Sequence, residues 1–167
     1  MSFTKDMLIP CIVGTIACAA FGVQFNIRPK HLAAASVGSF LTRLIWMMLS
    51  SGGISYAKSC VAAAAAAAVY SEIMARKMRV PANMYLITAI IPLVPGSTLY
   101  YAMSAFALDN IDTAEELGVK TIITAGSVAV GIFIVSSAIK IISSFDAKKF
   151  FSGASRSDKN KTIKNIR

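Results

Sequence analysis

At 167 residues the chain has the length of one domain, yet 56% of its residues are hydrophobic, 15% are charged and its mean hydropathy is +0.64. A soluble domain carries about 25% charged and 45–50% apolar residues, and one buried core could not absorb this excess. The formal charge of +9 would point to nucleic acid in a soluble protein, but the basic residues gather in two short segments and the C-terminal end. That placement fits membrane orientation better than a groove-reading surface, and no nucleic-acid partner is expected.

Long uncharged runs separated by short charged clusters predict an all-α integral membrane protein with five transmembrane helices, since a span needs about 20 mostly apolar residues. The first run, Met7 to Ile27, carries no charge and stops at Arg28-Pro29-Lys30-His31. With Lys5 and Asp6 ahead of it instead of a positive stretch, it reads as a retained helix rather than a cleaved signal. The second run, Leu32 to Leu49, holds one charge, Arg43, and ends at the uncharged turn Ser50-Ser51-Gly52-Gly53. The third, Ile54 to Met74, contains Lys58, Glu72 and the alanines Ala62 to Ala68, and the basic loop Arg76, Lys77 and Arg79 follows it.

The fourth run, Val80 to Leu108, is interrupted by a P-x-x-P-G element, Pro92-Leu93-Val94-Pro95-Gly96. An acidic loop with Asp109, Asp112, Glu115 and Glu116 leads to the fifth run, Val119 to Phe145. The chain thus divides into a transmembrane domain, 1–147, and a basic tail, 148–167. Lys and Arg accumulate in cytoplasmic loops. Placing the tail inside brings loops 28–31 and 76–79 inside with it, and the acidic loop falls outside. The expectation is a multi-pass protein of a bacterial cell membrane, its N-terminus outside and its C-terminus cytoplasmic.

Small residues four apart let helix backbones approach where no hydrophobic force drives association. Gly14, Cys18 and Gly22 form such a stripe in the first helix, Ala62 and Ala66 in the third, and Ser127 and Gly131 in the fifth. Cys11, Cys18 and Cys60 all lie within apolar runs without metal-site or CxxC spacing, so they read as packing residues, and no metal or cofactor is expected. His31 reads as an interfacial residue.

Two features could carry chemistry. The double-proline break falls near mid-membrane, where irregular backbone is tolerated only if buried in protein or lining a wet cavity. Proline removes a backbone donor, and Gly96, Ser97 and Thr98 would open a half-helix whose free N–H groups suit an anion; the alternative is a structural kink. Arg43 is a charge inside a span, a functional candidate by default, although it lies close enough to its helix end to snorkel. Lys58 reads as snorkelling, Tyr100 and Tyr101 as belt residues, and Glu72 as an interfacial partner of Arg76 or an ion-coupling group. The tail could bind anionic lipid or simply fix orientation. No phosphate-binding loop, dinucleotide fingerprint, HExxH or GxSxG occurs, so no enzyme activity is expected.

Phe21-Gly22-Val23-Gln24-Phe25-Asn26 before a basic loop, Arg43 in the second helix, and Ile91-Pro92-Leu93-Val94-Pro95-Gly96-Ser97 together resemble the threonine/serine exporter family. The similarity is strongest to its short-subunit branch, which includes the small component of a bacterial succinate exporter. That resemblance implies secondary, ion-driven export of small amino acids or dicarboxylates. It also implies a larger exporter-family membrane subunit as partner, or a second copy in its place. An odd number of spans agrees, because two homologous halves in series would then be inverted. Other classes remain: a non-transporting membrane assembly subunit, and a channel, for which no charged ring or carbonyl filter is evident.

Overall fold

A computed structural model of the chain describes the backbone of residues 3–165 and the side chains of residues 8–142. Among these residues there are six α-helices and no strand: α1 (Phe3–Gln24), α2 (Pro29–Ser51), α3 (Tyr56–Met78), α4 (Ala82–Ile90), α5 (Gly96–Ala107) and α6 (Ile111–Asn165). A 3₁₀ turn, Ile91–Leu93, joins the fourth element to the fifth.

Helix ends follow local chemistry. Pro29 starts α2, where its missing amide costs nothing and its fixed φ suits the first turn. Three helices end in a left-handed residue, Asn26 (φ 55°), Arg79 (φ 54°) and Asp109 (φ 57°). The following amide in each case returns to a carbonyl five residues back: Ile27 to Gly22, Val80 to Ala75, and Asn110 to Ala105. Between α2 and α3 the turn needs Gly53, whose φ of +79° excludes most side chains.

The expected acidic loop is mostly helix. α6 begins at Ile111, eight residues before the predicted start at Val119, so Asp112, Glu115 and Glu116 occupy its first turns. The Asn110 side chain accepts the Thr113 amide at 3.4 Å, and acidic residues there complement the helix dipole. Sequence reading took charge as a boundary; here it caps a helix.

By length and composition, α2 and the Ile111–Ile142 part of α6 can each cross a membrane, and the pair α4–α5, bent by 50°, makes a third if it is one span. Five such helices were expected. The described apolar part of α1, Leu8–Gln24, is shorter than a full span. In α3, Lys58 near the start and Glu72, Arg76 and Lys77 in the last turns lower the hydropathy of an otherwise alanine-rich helix.

Residues 1–133 form one compact unit. Within it α2 packs against α1, α3 and α4, and α3 packs against α4. Its centre is built from small side chains: Ala63 and Ala64 of α3 meet Leu93 and Val128, flanked by Ile45 and Trp46. A second cluster joins Ala35, Ala75 and Tyr85. Residues 134–167 form a second unit, helical through Asn165. The side chains of the basic tail from Lys148 onward lie outside the described residues.

Candidate functional site

Sequence reading singled out the arginine and the break separately, and the fold brings them together. Pro92 and Pro95 each lack an amide, so the ladder of α4 cannot continue through this stretch. Val94 N–H turns back to the Ile91 carbonyl at 3.2 Å, and Gly96 N–H to the Val94 carbonyl at 2.8 Å. Gly96 N–H is the group a regular helix would have offered to the Pro92 carbonyl. That carbonyl is left open, and Arg43 Nη1 donates to it at 3.2 Å.

Trp46 flanks the guanidinium, and two further side chains hold Trp46. The guanidinium carbon lies 4.6 Å from the centre of the Trp46 ring, one turn further along α2. Trp46 Nε1–H points to Cys60 Sγ at 3.3 Å, and the Trp46 and Tyr56 rings meet edge to face with centroids 5.8 Å apart. Tyr56 and Cys60 are four residues apart on α3 and therefore share a face. A cation stacked on tryptophan gains about 0.5–2 kcal/mol depending on desolvation.

These groups wall a cavity of about 180 Å³ between Arg43, Trp46, Tyr56, Cys60 and the break, with Ser97 and Thr98 on its rim. Thr98 Oγ1 donates to the Pro95 carbonyl at 2.9 Å, and the first helical bond of α5 runs from Leu99 N–H to the same carbonyl. The Ser97 and Thr98 amides have no backbone acceptor among the described residues. One cation and two free amides therefore line one small space, a combination suited to a carboxylate.

Gly96 itself has an ordinary φ, and a Cβ added there would meet nothing within 4 Å. Its glycine is thus not required by backbone geometry, and Gly96 is not among the residues that line the cavity. Pro92 packs instead on α1, where a Cβ at Gly14 would lie 3.6 Å from its ring.

Glu72 is not part of this arrangement. It faces Arg76 at 4.0 Å near the far end of α3, and Lys58, Tyr100 and Tyr101 are exposed. Cys18 is buried with its Sγ 3.7 Å from the Ala35 carbonyl, and a Cβ on Gly22 would collide with Leu32. A Cβ on Gly131 would come within 2.5 Å of the Val61 carbonyl, and Ser127 is buried beside it. In α3, by contrast, Ala62 is exposed and Ala66 half-buried; the helix buries the adjoining stripe Cys60, Ala63, Ala64, Ala67, Ala68 and Ser71. Seven consecutive alanines offer no phase, so the residues alone could not select the buried face.

Several residues escaped sequence reading. Gly38, Ser39 and Thr42 are buried on α2, where a Cβ on Gly38 would press on the Tyr70 ring at 2.6 Å. Ala35-x-x-x-Ser39 and Gly38-x-x-x-Thr42 carry the same four-residue spacing that marked α1 and would have revealed them. Tyr85, fully buried, bonds through its hydroxyl to His31 Nδ1 at 2.7 Å.

A bent helix pair and an arginine within a membrane-length helix thus close on one polar cavity, in an all-helical chain with helices long and apolar enough to cross a membrane. The chain belongs to the threonine/serine exporter family, described as "Threonine/Serine exporter, ThrE", whose model matches residues 10–138. No curated protein and no solved structure matches it. The family is a transporter family.

Proposed function

We propose that this chain is a subunit of an ion-coupled secondary exporter of small amino acids or dicarboxylates, such as threonine, serine or succinate. Its place would be the short-subunit branch of the family, in a bacterial cell membrane. The observation that carries the reading is the shared cavity of Arg43 and the α5 N-terminus. A carboxylate entering it would meet the guanidinium, which could exchange the Pro92 carbonyl for the solute, and the Ser97 and Thr98 amides.

On this reading α1, α2, α3, the broken pair α4–α5 and α6 make five spans, with the N-terminus outside and the C-terminus cytoplasmic. An odd number of spans suits half of an inverted pair. A larger exporter-family subunit would supply the opposite wall, with a second copy of this chain as the other arrangement.

Export of labelled threonine, serine and succinate from intact cells tests the proposal. Removing this chain should abolish export of its solute, and Arg43→Gln should lower it at least about tenfold, the weight of one charged hydrogen bond. Ser97→Val, at a residue that lines the cavity, should obstruct it without unfolding the chain. Export that continues at full rate without the larger subunit would overturn the half-transporter reading. The broad exposed apolar faces of α1, α5 and α6 favour one alternative, a non-transporting assembly subunit. That reading gains if Arg43→Gln and Ser97→Val both assemble with the partner and leave export untouched.

A further inference from the structure

A second cavity, of about 420 Å³, lies apart from the Arg43 site, beneath the turn that joins α1 to α2. Its walls are mainly apolar, with Phe25, Ile27, Val80, Met84 and Ile87 prominent among them, and Arg28 and His31 are its basic lining groups. Arg28 is exposed, and its guanidinium makes no hydrogen bond or ion pair among the described residues. His31 spends Nδ1 on the buried Tyr85 hydroxyl, which fixes its ring and leaves Nε2 for another partner. No acidic residue lines the cavity. Lys30 and Arg79 adjoin it in sequence, so both chain segments that frame its mouth are cationic.

Such a lining is a poor match for a small amino or dicarboxylic acid, which would leave the hydrocarbon walls unfilled and desolvate its own polar atoms against them. It suits an amphiphile with an anionic head and an aliphatic tail. The level is appropriate too: Arg28-Pro29-Lys30 ends one membrane helix and starts the next, and basic pockets between helix ends are where anionic head groups bind.

We propose that this cavity is an anionic-phospholipid site, in which Arg28 and the free nitrogen of His31 hold the phosphodiester and one acyl chain lies along Phe25, Val80, Met84 and Ile87. Bound there, a lipid would bridge the α1–α2 turn to α4, the helix that leads into the break. This does not depend on which solute the chain handles.

The full chain, purified from membranes, can be exposed to dioleoyl phosphatidylglycerol or dioleoyl phosphatidylcholine and the retained lipid counted by native mass spectrometry. Phosphatidylglycerol should be retained preferentially. Arg28→Gln, a change at an exposed position, should weaken its retention roughly fivefold, the weight of one basic residue at an anionic surface. Met84→Trp, which fills the cavity, should remove retention of that lipid while thermal unfolding still shows a folded chain. Lys77→Gln, basic and exposed on the same side but outside the cavity, should change little; an equal loss in Lys77→Gln would overturn the site in favour of diffuse charge. Displacement of the lipid by soluble glycerol phosphate at equal concentration would also overturn it, since the acyl chain would then add nothing. Arg43→Gln should leave lipid retention unchanged, so failure of the exporter reading and failure of this one remain separate results.

Discussion

Arg43 has two roles available, and the two make different demands on its side chain. As a structural group it closes the carbonyl that the double proline leaves open, and a hydrogen bond from a charged donor contributes about 1.5–3 kcal/mol. As a solute-binding group it must be able to leave that carbonyl. Lysine separates these roles, because an ammonium can still reach a carbonyl but cannot stack a planar face on Trp46 or grip a carboxylate through two donors. Arg43→Lys should therefore keep most of the thermal stability, losing on the order of 1 kcal/mol with the stacking. Export should fall much further, by about tenfold or more, with a raised half-saturating solute concentration. A purely structural arginine would give export losses that track stability across Lys and Gln variants.

At the scale of helices, the contact between α6 and α3 depends on one missing methyl group. A Cβ on Gly131 would approach the Val61 carbonyl at 2.5 Å, the Ala64 Cβ at 2.9 Å and the Ala65 amide at 3.1 Å. Two of those atoms are backbone and cannot rotate aside. Gly131→Ala should push the helices apart and cost about 1–3 kcal/mol, as overpacking does. Gly126→Ala, where a Cβ meets nothing within 4 Å, should lose nothing and gain up to about 1 kcal/mol from helix propensity. Thermal unfolding of both in detergent checks the pair; an equal loss in the two variants, which helix propensity cannot produce because it favours alanine over glycine, would overturn the contact at Gly131 as the cause.

Of the small residues spaced by four in α1 and α6, Gly22 and Gly131 leave no room for a Cβ, whereas at Gly14 one would make an ordinary contact. In α3 the same rule had no phase to read, and in α2 serine and threonine hid the pattern. The cavity was half legible. Its two polar parts, an intramembrane arginine and a proline break, stand out in any apolar chain. That Arg43 would cap the Pro92 carbonyl depends on how α2 packs against α4, a tertiary fact with no local signature. The larger cavity was invisible for a related reason: His31 and Tyr85 are 54 residues apart, and neither is unusual where it stands.

For the whole molecule, the question that decides topology is whether α4 and α5 form one broken span or a re-entrant loop, since a bend of 50° admits both. The charges favour a span, because only then does the basic stretch 76–79 lie opposite the acidic start of α6. A re-entrant loop would instead put Lys77 and Asn110 on the same side. It would also give an even number of crossings, and two such halves in series would be parallel rather than inverted. Single cysteines at these two positions can be labelled with a membrane-impermeant maleimide. The native thiols interfere little, as Cys11, Cys18 and Cys60 are at most 1% exposed. Asn110→Cys should react in intact cells and Lys77→Cys only after permeabilisation. If both react under the same condition, the crossing fails and with it the inverted-half design. The Arg43 cavity would survive that outcome, because it is formed by contacts within residues 1–133; its place would then be on one membrane face rather than between two.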